Sequence, residues 1–328
     1  MKKFISKILL IIPFLFISYV LLLIVWGSFA PSFIRSNLNY GIAGYGHMYS
    51  RISEVRQIKD VDILFLGSSH TYRGFDPRIF REYGYKTFNL GSPNQTPQQT
   101  EVLLERYINT LNPKLIIYET NPRTFTYDGV ESSLDLLAND KIDMKSLKMA
   151  LKINNVRTYN SLLYGYYRQL FNKNKNIKED PVKGDDLYIS GGYVEKDLSY
   201  KRKRPAEYGK LRWNPLKSQL ISFENIIKLI NKKKIKLILV QAPITRLVFD
   251  QYDEANGRID AYLSGKTPNY YNFNYLLKMD DGLHYFDSHH LNQYGVRIFN
   301  EEIIKKVIPK VQQACGSSGK SELSIADQ

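Results

Sequence analysis

The sequence predicts an α/β domain built on a short parallel sheet and carried behind one apolar N-terminal helix. Three observations predict it. The short apolar run Ile63–Leu66 and the short segments Thr87–Leu90, Leu115–Tyr118 and Leu237–Gln241 each stop in turn-forming residues, as buried strands of a parallel sheet do. Segments with helical spacing lie between them, which is the α/β rhythm. An uncharged stretch from Ile8 to Ile34 precedes everything, and its strongly apolar part, Ile8–Ala30, exceeds the roughly 20 residues that cross a bilayer.

That first stretch is read as an uncleaved anchor, because the apolar core of a signal peptide is only about 7–15 residues. Cleavage near Ala30 stays open. Lys2, Lys3 and Lys7 stand before the span, so the positive-inside rule puts the N-terminus in the cytoplasm and everything after Pro31 outside. Trp26 and Tyr19 are candidates for the interfaces, although Tyr19 falls mid-span and is a poor belt residue.

Taken in order, residues 1–34 form a cytoplasmic stub and membrane anchor, and 35–60 a membrane-proximal linker. Residues 61–312 form the main domain, with an insertion at about 130–213, and 313–328 a disordered polar tail. Within the domain, strand one is Asp62–Leu66 and strand two Thr87–Leu90. Thr96-Pro97-Gln98-Gln99 reads as a capping box opening a helix with Leu103, Leu104, Tyr107, Ile108 and Leu111 on one face. Strand three, Leu115–Tyr118, ends in Glu119-Thr120-Asn121-Pro122. The insertion carries helices over Met144–Ile153 and Ser161–Phe171, then a loop-like stretch from Asn172 to Arg212 with the basic run Lys201–Arg204. Asn214-Pro215 reads as the start of a helix with Leu216, Leu220, Phe223, Ile227 and Ile230 inward. Leu237–Gln241 is strand four and Asn269–Tyr275 a short fifth. Asn292 caps a last helix burying Val296, Phe299, Ile303 and Val307.

The composition is that of a globular chain, with 43% hydrophobic and 24% charged residues. The single Cys315 excludes an internal disulfide and a Cys-rich metal site. A formal charge of +14 favours anionic surroundings without choosing among nucleic acid, acidic glycan and membrane surface. Placement outside the cytoplasm argues against nucleic acid. The basic run Lys201–Arg204 reads as a solvated loop or a contact for anionic lipid or glycan, and the Tyr-rich insertion as a packed core or a platform for sugar rings.

The chemistry concentrates at strand ends. Gly67-Ser68-Ser69 closes strand one, Gly91 follows strand two and Asn121 follows strand three, so all face one rim of one sheet, where open parallel sheets bind ligands. A Ser becomes a competent nucleophile only when a base takes its proton and an acidic group orients that base. Phe286-Asp287-Ser288-His289-His290 offers Asp287 three residues before His290. The bland alternatives are a turn with two serines, an Asn-Pro turn at Asn121 and a surface His before a helix. His284, Asp287, His289 and His290 also have zinc-ligand chemistry, but no regular helical spacing, and a metal is not expected. A Gly-x-Ser-x-Gly elbow is absent, since Thr71 follows His70, so a standard α/β-hydrolase is disfavoured.

Gly67-Ser68-Ser69 and Asp287-Ser288-His289-His290 together resemble blocks I and V of the SGNH hydrolase family, also called GDSL-like. The resemblance covers roughly Asp62–Thr126 and Leu216–Val307. It implies a three-layer, flavodoxin-like fold with Ser69, rather than Ser68, as nucleophile, His290 as base and Asp287 as its orienting acid. Ser68 stands where many members carry Asp. The resemblance also implies an oxyanion hole from the N–H of Ser69, the N–H of Gly91 and the amide of Asn121. Asn89-Leu90-Gly91 is similar to block II, whereas the Gly of block III, Gly-x-Asn-Asp, is missing from Glu119-Thr120-Asn121-Pro122. Asn94 is a second possible donor or substrate contact, and His70 a substrate contact. No cofactor is implied.

Single-anchor members with Gly-Ser-Ser in block I are similar to the alginate O-acetylation proteins and the D-alanyl transfer protein of teichoic acid synthesis. The resemblance therefore implies an extracytoplasmic O-acyltransferase or esterase acting on a cell-surface glycan, with an acyl donor and a multi-pass membrane O-acyltransferase as expected partners. The other class is a non-catalytic glycan-binding or assembly protein on a degenerate SGNH scaffold.

Overall fold

Five short strands lie in one parallel sheet in the order β2-β1-β3-β7-β8, where β1 is Ile63–Leu66, β2 Thr87–Asn89, β3 Leu115–Glu119, β7 Lys236–Gln241 and β8 Tyr270–Asn272. Between β3 and β7 the chain makes a separate antiparallel sheet of β4 (Val182–Lys183), β5 (Asp186–Ile189) and β6 (Tyr193–Lys196). The computed structural model describes residues 2–196, 210 and 212–311. The run Lys201–Arg204 and the 313–328 tail with Cys315 lie outside the described residues. The chain groups into two compact units, Met1–Gly44 with Gly129–Lys178, and Tyr45–Asp128 with Glu179–Gln328.

The second unit carries both sheets. Every residue of β1, β2 and β3 is buried, as expected of strands covered on both faces. On one face Ile63, Phe65, Ile117, Ile238 and Val240 pack with Phe75, Phe80, Phe273, Phe299 and Ile303. On the other, the ring of Tyr118 meets Phe223 at 5.6 Å, under the helices Pro97–Leu111 and Lys217–Lys232. This is the three-layer arrangement, and the strand order is the flavodoxin-like one, with its switch point between β1 and β3. The box at Thr96 forms as the sequence predicts, with the Thr96 N–H donating to Gln99 Oε1 at 3.2 Å.

Several segments differ from the sequence reading. The helix read from Asn214-Pro215 begins at Lys217, because the Leu216 N–H is held by the Phe125 carbonyl at 2.8 Å. The loop-like stretch after Asn172 contains β4–β6, whose pairing is anchored by Asp186 on Arg73 rather than by an alternating apolar pattern. Between β7 and β8 lie the helices Arg246–Asp250 and Asp253–Ser264, and the fifth strand is only Tyr270–Asn272, because Asn272 caps a turn of helix over Phe273–Leu276. The segment read as one insertion is divided between the two units.

The first unit holds the helix Lys2–Phe29, with Lys7–Phe29 long and apolar enough to cross a membrane. Helices Val130–Asn139, Met144–Ile153 and Val156–Leu170 follow. The last of these starts earlier than its apolar spacing suggests, because Asn155 caps it through the Arg157 N–H at 2.9 Å. Gly27 lets it approach the apolar helix, since a Cβ there would lie 2.6 Å from the Tyr164 ring. The mid-span Tyr19 finds a partner in this contact, donating to Asn160 Oδ1 at 2.5 Å.

Candidate active site

The site lies in the second unit, at the carboxyl ends of β1, β3 and β7, around the switch point. Strand β1 ends at Gly67, whose φ of +138° and surroundings admit no side chain: a Cβ would sit 2.2 Å from Thr71 Oγ1 and 2.6 Å from the Glu119 carbonyl. The chain turns at Ser68 and starts the helix Ser69–Gly74, so Ser69 occupies its first position. Thr71 Oγ1 ties the turn back to the Leu66 carbonyl at 3.1 Å.

The second half comes from the loop before the last helix. Tyr285 and Leu291 form an isolated bridge, and the Phe286 N–H donates to the His290 carbonyl at 3.1 Å, which makes the loop tight. Thr245 docks it after β7, its Oγ1 donating to the Ser288 carbonyl at 2.8 Å. Asp287 Oδ1 accepts from the N–H groups of His289 and His290, both at 2.8 Å, while Oδ2 lies 2.8 Å from His290 Nδ1. His290 Nε2 lies 2.8 Å from Ser69 Oγ. The structure thus brings Ser69, His290 and Asp287 into one hydrogen-bonded line, and it is His290 rather than His289 that faces Ser69.

The protonation pattern follows from the partners. Burial works against the Asp287 charge, but the His290 ring and the two amides outweigh it and hold this carboxyl well below the usual range. An ionised Asp287 can only accept, so His290 Nδ1 carries the proton and Nε2 presents its lone pair to the Ser69 hydroxyl. The Phe286 ring stacks on His290 at 5.4 Å, and Arg73, held to Asp186 by bonds of 2.9 and 2.8 Å, lies 5.6 Å over Phe286. The antiparallel sheet therefore braces the ring that braces the imidazole.

A cleft beside Ser69 is lined by His70, Glu119, Asn121, Gln241, Tyr252 and His289, among others, and holds about 290 Å³ including open solvent. Asn121 accepts the Arg123 N–H on Oδ1 at 3.0 Å and turns Nδ2 to His70 Nδ1 at 2.8 Å. His70, expected to touch substrate, is nearly buried, packs 5.0 Å from the His290 ring and is spoken for by Asn121. Burial, then His290 and His289, push its pKa well below the ordinary histidine value. Burial likewise pushes His289 down to about 4. His284 is turned away, its Nδ1 accepting the Asp280 N–H at 2.9 Å.

Two expected contacts are placed otherwise. The Gly91 N–H, expected at the oxyanion, is donated to Asn89 Oδ1 at 2.9 Å. What Gly91 supplies is closeness, because a Cβ there would meet the Ser68 carbonyl at 2.7 Å. Asn94 is exposed in a left-handed turn with φ of 47°, ahead of the helix Pro97–Leu111.

Two residues were missed in the sequence. Asn89 joins β2 to the serine turn, its Nδ2 donating to the Thr71 carbonyl at 2.7 Å. Glu119 is buried at the end of β3, where it accepts from the amides of Ala242, Asn121 and Ser68; Ser68 Oγ lies 3.5 Å away. Burial outweighs those donors and raises its pKa to about 8. A charged residue closing an apolar strand was the available signal for Glu119. For Asn89 the signals were its place at a strand end and its position two residues before Gly91 in the stretch similar to block II.

No family model matches the chain, and no curated protein does. Solved structures similar to it include a "putative acylhydrolase" from Bacteroides fragilis NCTC 9343, at 13% identity over 82% of this chain and 99% of that one, with a TM-score of 0.41. A GDSL-like lipase from Bacteroides thetaiotaomicron VPI-5482 is 12% identical over 83% of this chain and all of its own, with a TM-score of 0.40. A gut microbial diltiazem-metabolizing enzyme is 15% identical over 78% of this chain and 48% of its own, with a TM-score of 0.26. Likenesses of this size carry no argument about the reaction, which rests on the geometry above.

Proposed function

We propose that the protein is a serine-dependent acyl-transfer or ester-hydrolysing enzyme that works through an acyl-serine. The observation that carries this reading is the line Ser69 Oγ–His290 Nε2, His290 Nδ1–Asp287 Oδ2, with 2.8 Å at each link. As Ser69 Oγ attacks the ester carbonyl, its proton passes to His290 Nε2, and Asp287 stabilises the imidazolium without taking the proton. The tetrahedral oxyanion is met by the Ser69 N–H and the second N–H of Asn121 Nδ2. Collapse breaks the ester bond, and His290 returns the proton to the departing alcohol. Water or a second hydroxyl, deprotonated by His290, then attacks the acyl-serine; the bond from the acyl carbon to Ser69 Oγ breaks, and His290 returns the proton to Ser69 Oγ.

The substrate is read as a cell-surface glycan, either as the acceptor of the acyl group or as the ester that is cleaved. This finer reading is supported by the apolar helix Lys7–Phe29, by Lys2, Lys3 and Lys7 at its N-terminal side, and by the basic charge of the chain. A multi-pass membrane O-acyltransferase is the proposed partner and acyl source.

Two measurements test the reading. A fluorophosphonate probe applied to the full chain in detergent should label Ser69, and labelling should vanish in Ser69→Ala and in His290→Ala. Labelling that persists in well-folded Ser69→Ala would remove the nucleophile. An alkaline phosphatase fused at the C-terminus should be active in cells; an inactive fusion beside an active cytoplasmic reporter would overturn the location.

A further inference from the structure

Three backbone amides are left over where the sheet ends. Strands β1, β3 and β7 stop at Leu66, Glu119 and Gln241, and the N–H groups of Ser68, Asn121 and Ala242 come just past them. Ser68 and Ala242 are buried and Asn121 is half-buried, so amides here are costly to leave unpaired. One side chain takes all three. The carboxyl of Glu119, itself only 3% exposed, accepts from the N–H groups of Ser68, Asn121 and Ala242, and Ser68 Oγ lies 3.5 Å from its Oε2. A carboxyl offers about four lone-pair sites, which matches that demand. Glu119 stands where the pattern Gly-x-Asn-Asp has its Gly, so the missing Gly is replaced by the group that holds Asn121.

Two of these amides adjoin the donors assigned to the oxyanion. The Ser69 N–H is the next one along the chain from Ser68. The Ser68 residue is gripped at both ends, its N–H by Glu119 and its carbonyl by the Thr71 N–H at 3.0 Å. The peptide that carries the Ser69 N–H is fixed with it. Asn121 is gripped in the same way, its N–H by Glu119 and its carbonyl by Thr124 Oγ1 at 2.7 Å and the Thr124 N–H at 3.1 Å. With that backbone fixed and Oδ1 occupied by the Arg123 N–H, Nδ2 is left a single direction. One carboxyl therefore ties the end of β1 to the end of β3 at the switch point.

We propose that Glu119 is a positioning residue, whose carboxyl sets the spacing between the Ser69 N–H and Asn121 Nδ2 so that both donors meet one oxyanion. It acts through those two donors and through no proton transfer of its own. A misplacement of about 1 Å at a reacting centre costs roughly 10² in rate, so the length of the side chain matters as well as its acceptor atoms. The proposal rests on reading Ser69 as the nucleophile, and the test keeps the two apart.

The test uses the full chain in detergent, a fluorophosphonate probe, and the variants Glu119→Asp and Glu119→Gln. The first keeps both acceptor oxygens but withdraws them by one methylene. The second keeps the reach and, at neutral pH, where burial leaves Glu119 mostly protonated, the charge. In the labelling step Ser69 Oγ bonds to phosphorus as fluoride leaves, its proton passes to His290, and the phosphoryl oxygen takes the place of the oxyanion. The end point of labelling counts intact sites, and the second-order rate per intact site reads the donors. Glu119→Asp should label roughly 10²-fold more slowly than the parent, and Glu119→Gln within about threefold of it. In an Asn121→Ala background the change to Asp should cost less than about tenfold, because one positioned donor is already gone. Glu119→Asp labelling at the parent rate would overturn the proposal, as would Glu119→Gln as slow as Glu119→Asp. An equal cost in both backgrounds would overturn it in favour of a general loosening of the strand ends. A parent that is not labelled at Ser69 would overturn the acyl-serine reading, and the positioning role with it.

Discussion

Asn121 Nδ2 donates to His70 Nδ1 at 2.8 Å, so the residue next to the candidate nucleophile holds a candidate oxyanion donor. The amide orientation is set by the Arg123 N–H on Asn121 Oδ1, which leaves only Nδ2 to face the ring. His70 Nδ1 must then be a lone pair and its proton must sit on Nε2. Burial keeps the ring neutral, as this arrangement requires. Under the proposed mechanism, Asn121→Ala should lower kcat on a small acetyl ester by roughly 10²–10³ and leave KM nearly unchanged. His70→Ala should lose a substantial part of the same factor, and the double variant should be little worse than Asn121→Ala. Additive losses in this cycle would separate the two residues.

Gly67→Ala should be among the most damaging single changes in the second unit. The new Cβ meets Thr71 Oγ1 at 2.2 Å and the backbone carbonyl of Glu119 at 2.6 Å, at a φ of +138°. A cost of about 3 kcal/mol or more is expected from combined overpacking and backbone strain. Gly84→Ala is the control, since its φ of +82° carries strain but nothing lies within 4 Å; it should cost only about 1 kcal/mol. Thermal unfolding of the full chain in detergent compares the two, and equal shifts would show that the contacts at Gly67 are not decisive.

The difference between what could and could not be read in the sequence is physical. Strands β1, β3 and β7 were legible because burial on both faces demands apolar runs, β2 from its place before a Gly turn, and Asp287 and His290 because their spacing lets one tight loop hold both. The partnership of His70 with Asn121 was not, since it depends on how two strand ends meet at the switch point. The hidden strands β4–β6 carry polar and aromatic side chains, and they are fixed by Arg73–Asp186, a bond spanning more than a hundred residues. Gly91 was found for the wrong reason. A small residue was needed there, but for approach to Ser68 rather than for a free N–H.

Glu119 gives a pH dependence of stability. Its carboxyl titrates near 4.5 when unfolded and is raised to about 8 in the folded chain. Between these values the unfolded state binds fewer protons, so this group's contribution to stability falls as pH rises through that window. His289, lowered to about 4 from 6.5, acts oppositely, costing stability as pH falls from 6.5. Comparison of Glu119→Gln with the parent cancels the histidine contribution. The variant should gain on the parent by up to about 1.4 kcal/mol per pH unit from about pH 5 to about pH 8. Unfolding midpoints at both ends of that range check it, and a constant difference would mean that Glu119 stays ionised in the folded protein.

The chain of bonds through His290 makes the sharpest demand. If Ser69, His290 and Asp287 act as a unit, removing one member should leave little for the others to contribute. Ser69→Ala and His290→Ala should each abolish turnover of a small acetyl ester, and the double variant should be indistinguishable from either. Asp287→Asn retains the shape of the acid but presents an amide to His290 Nδ1. Its side-chain oxygen is best satisfied by the His289 and His290 amides now on Oδ1, at 2.8 Å each, which leaves the NH₂ group facing the ring. The ring must then move its proton to Nε2, where it can no longer accept from Ser69, and the rate should fall by roughly 10⁴. Fluorophosphonate labelling should slow in parallel, because it needs the same proton transfer. An Asp287→Asn variant that turns over at the parent rate would mean that His290 takes its tautomer from elsewhere, and the role of Asp287 would reduce to closing the loop.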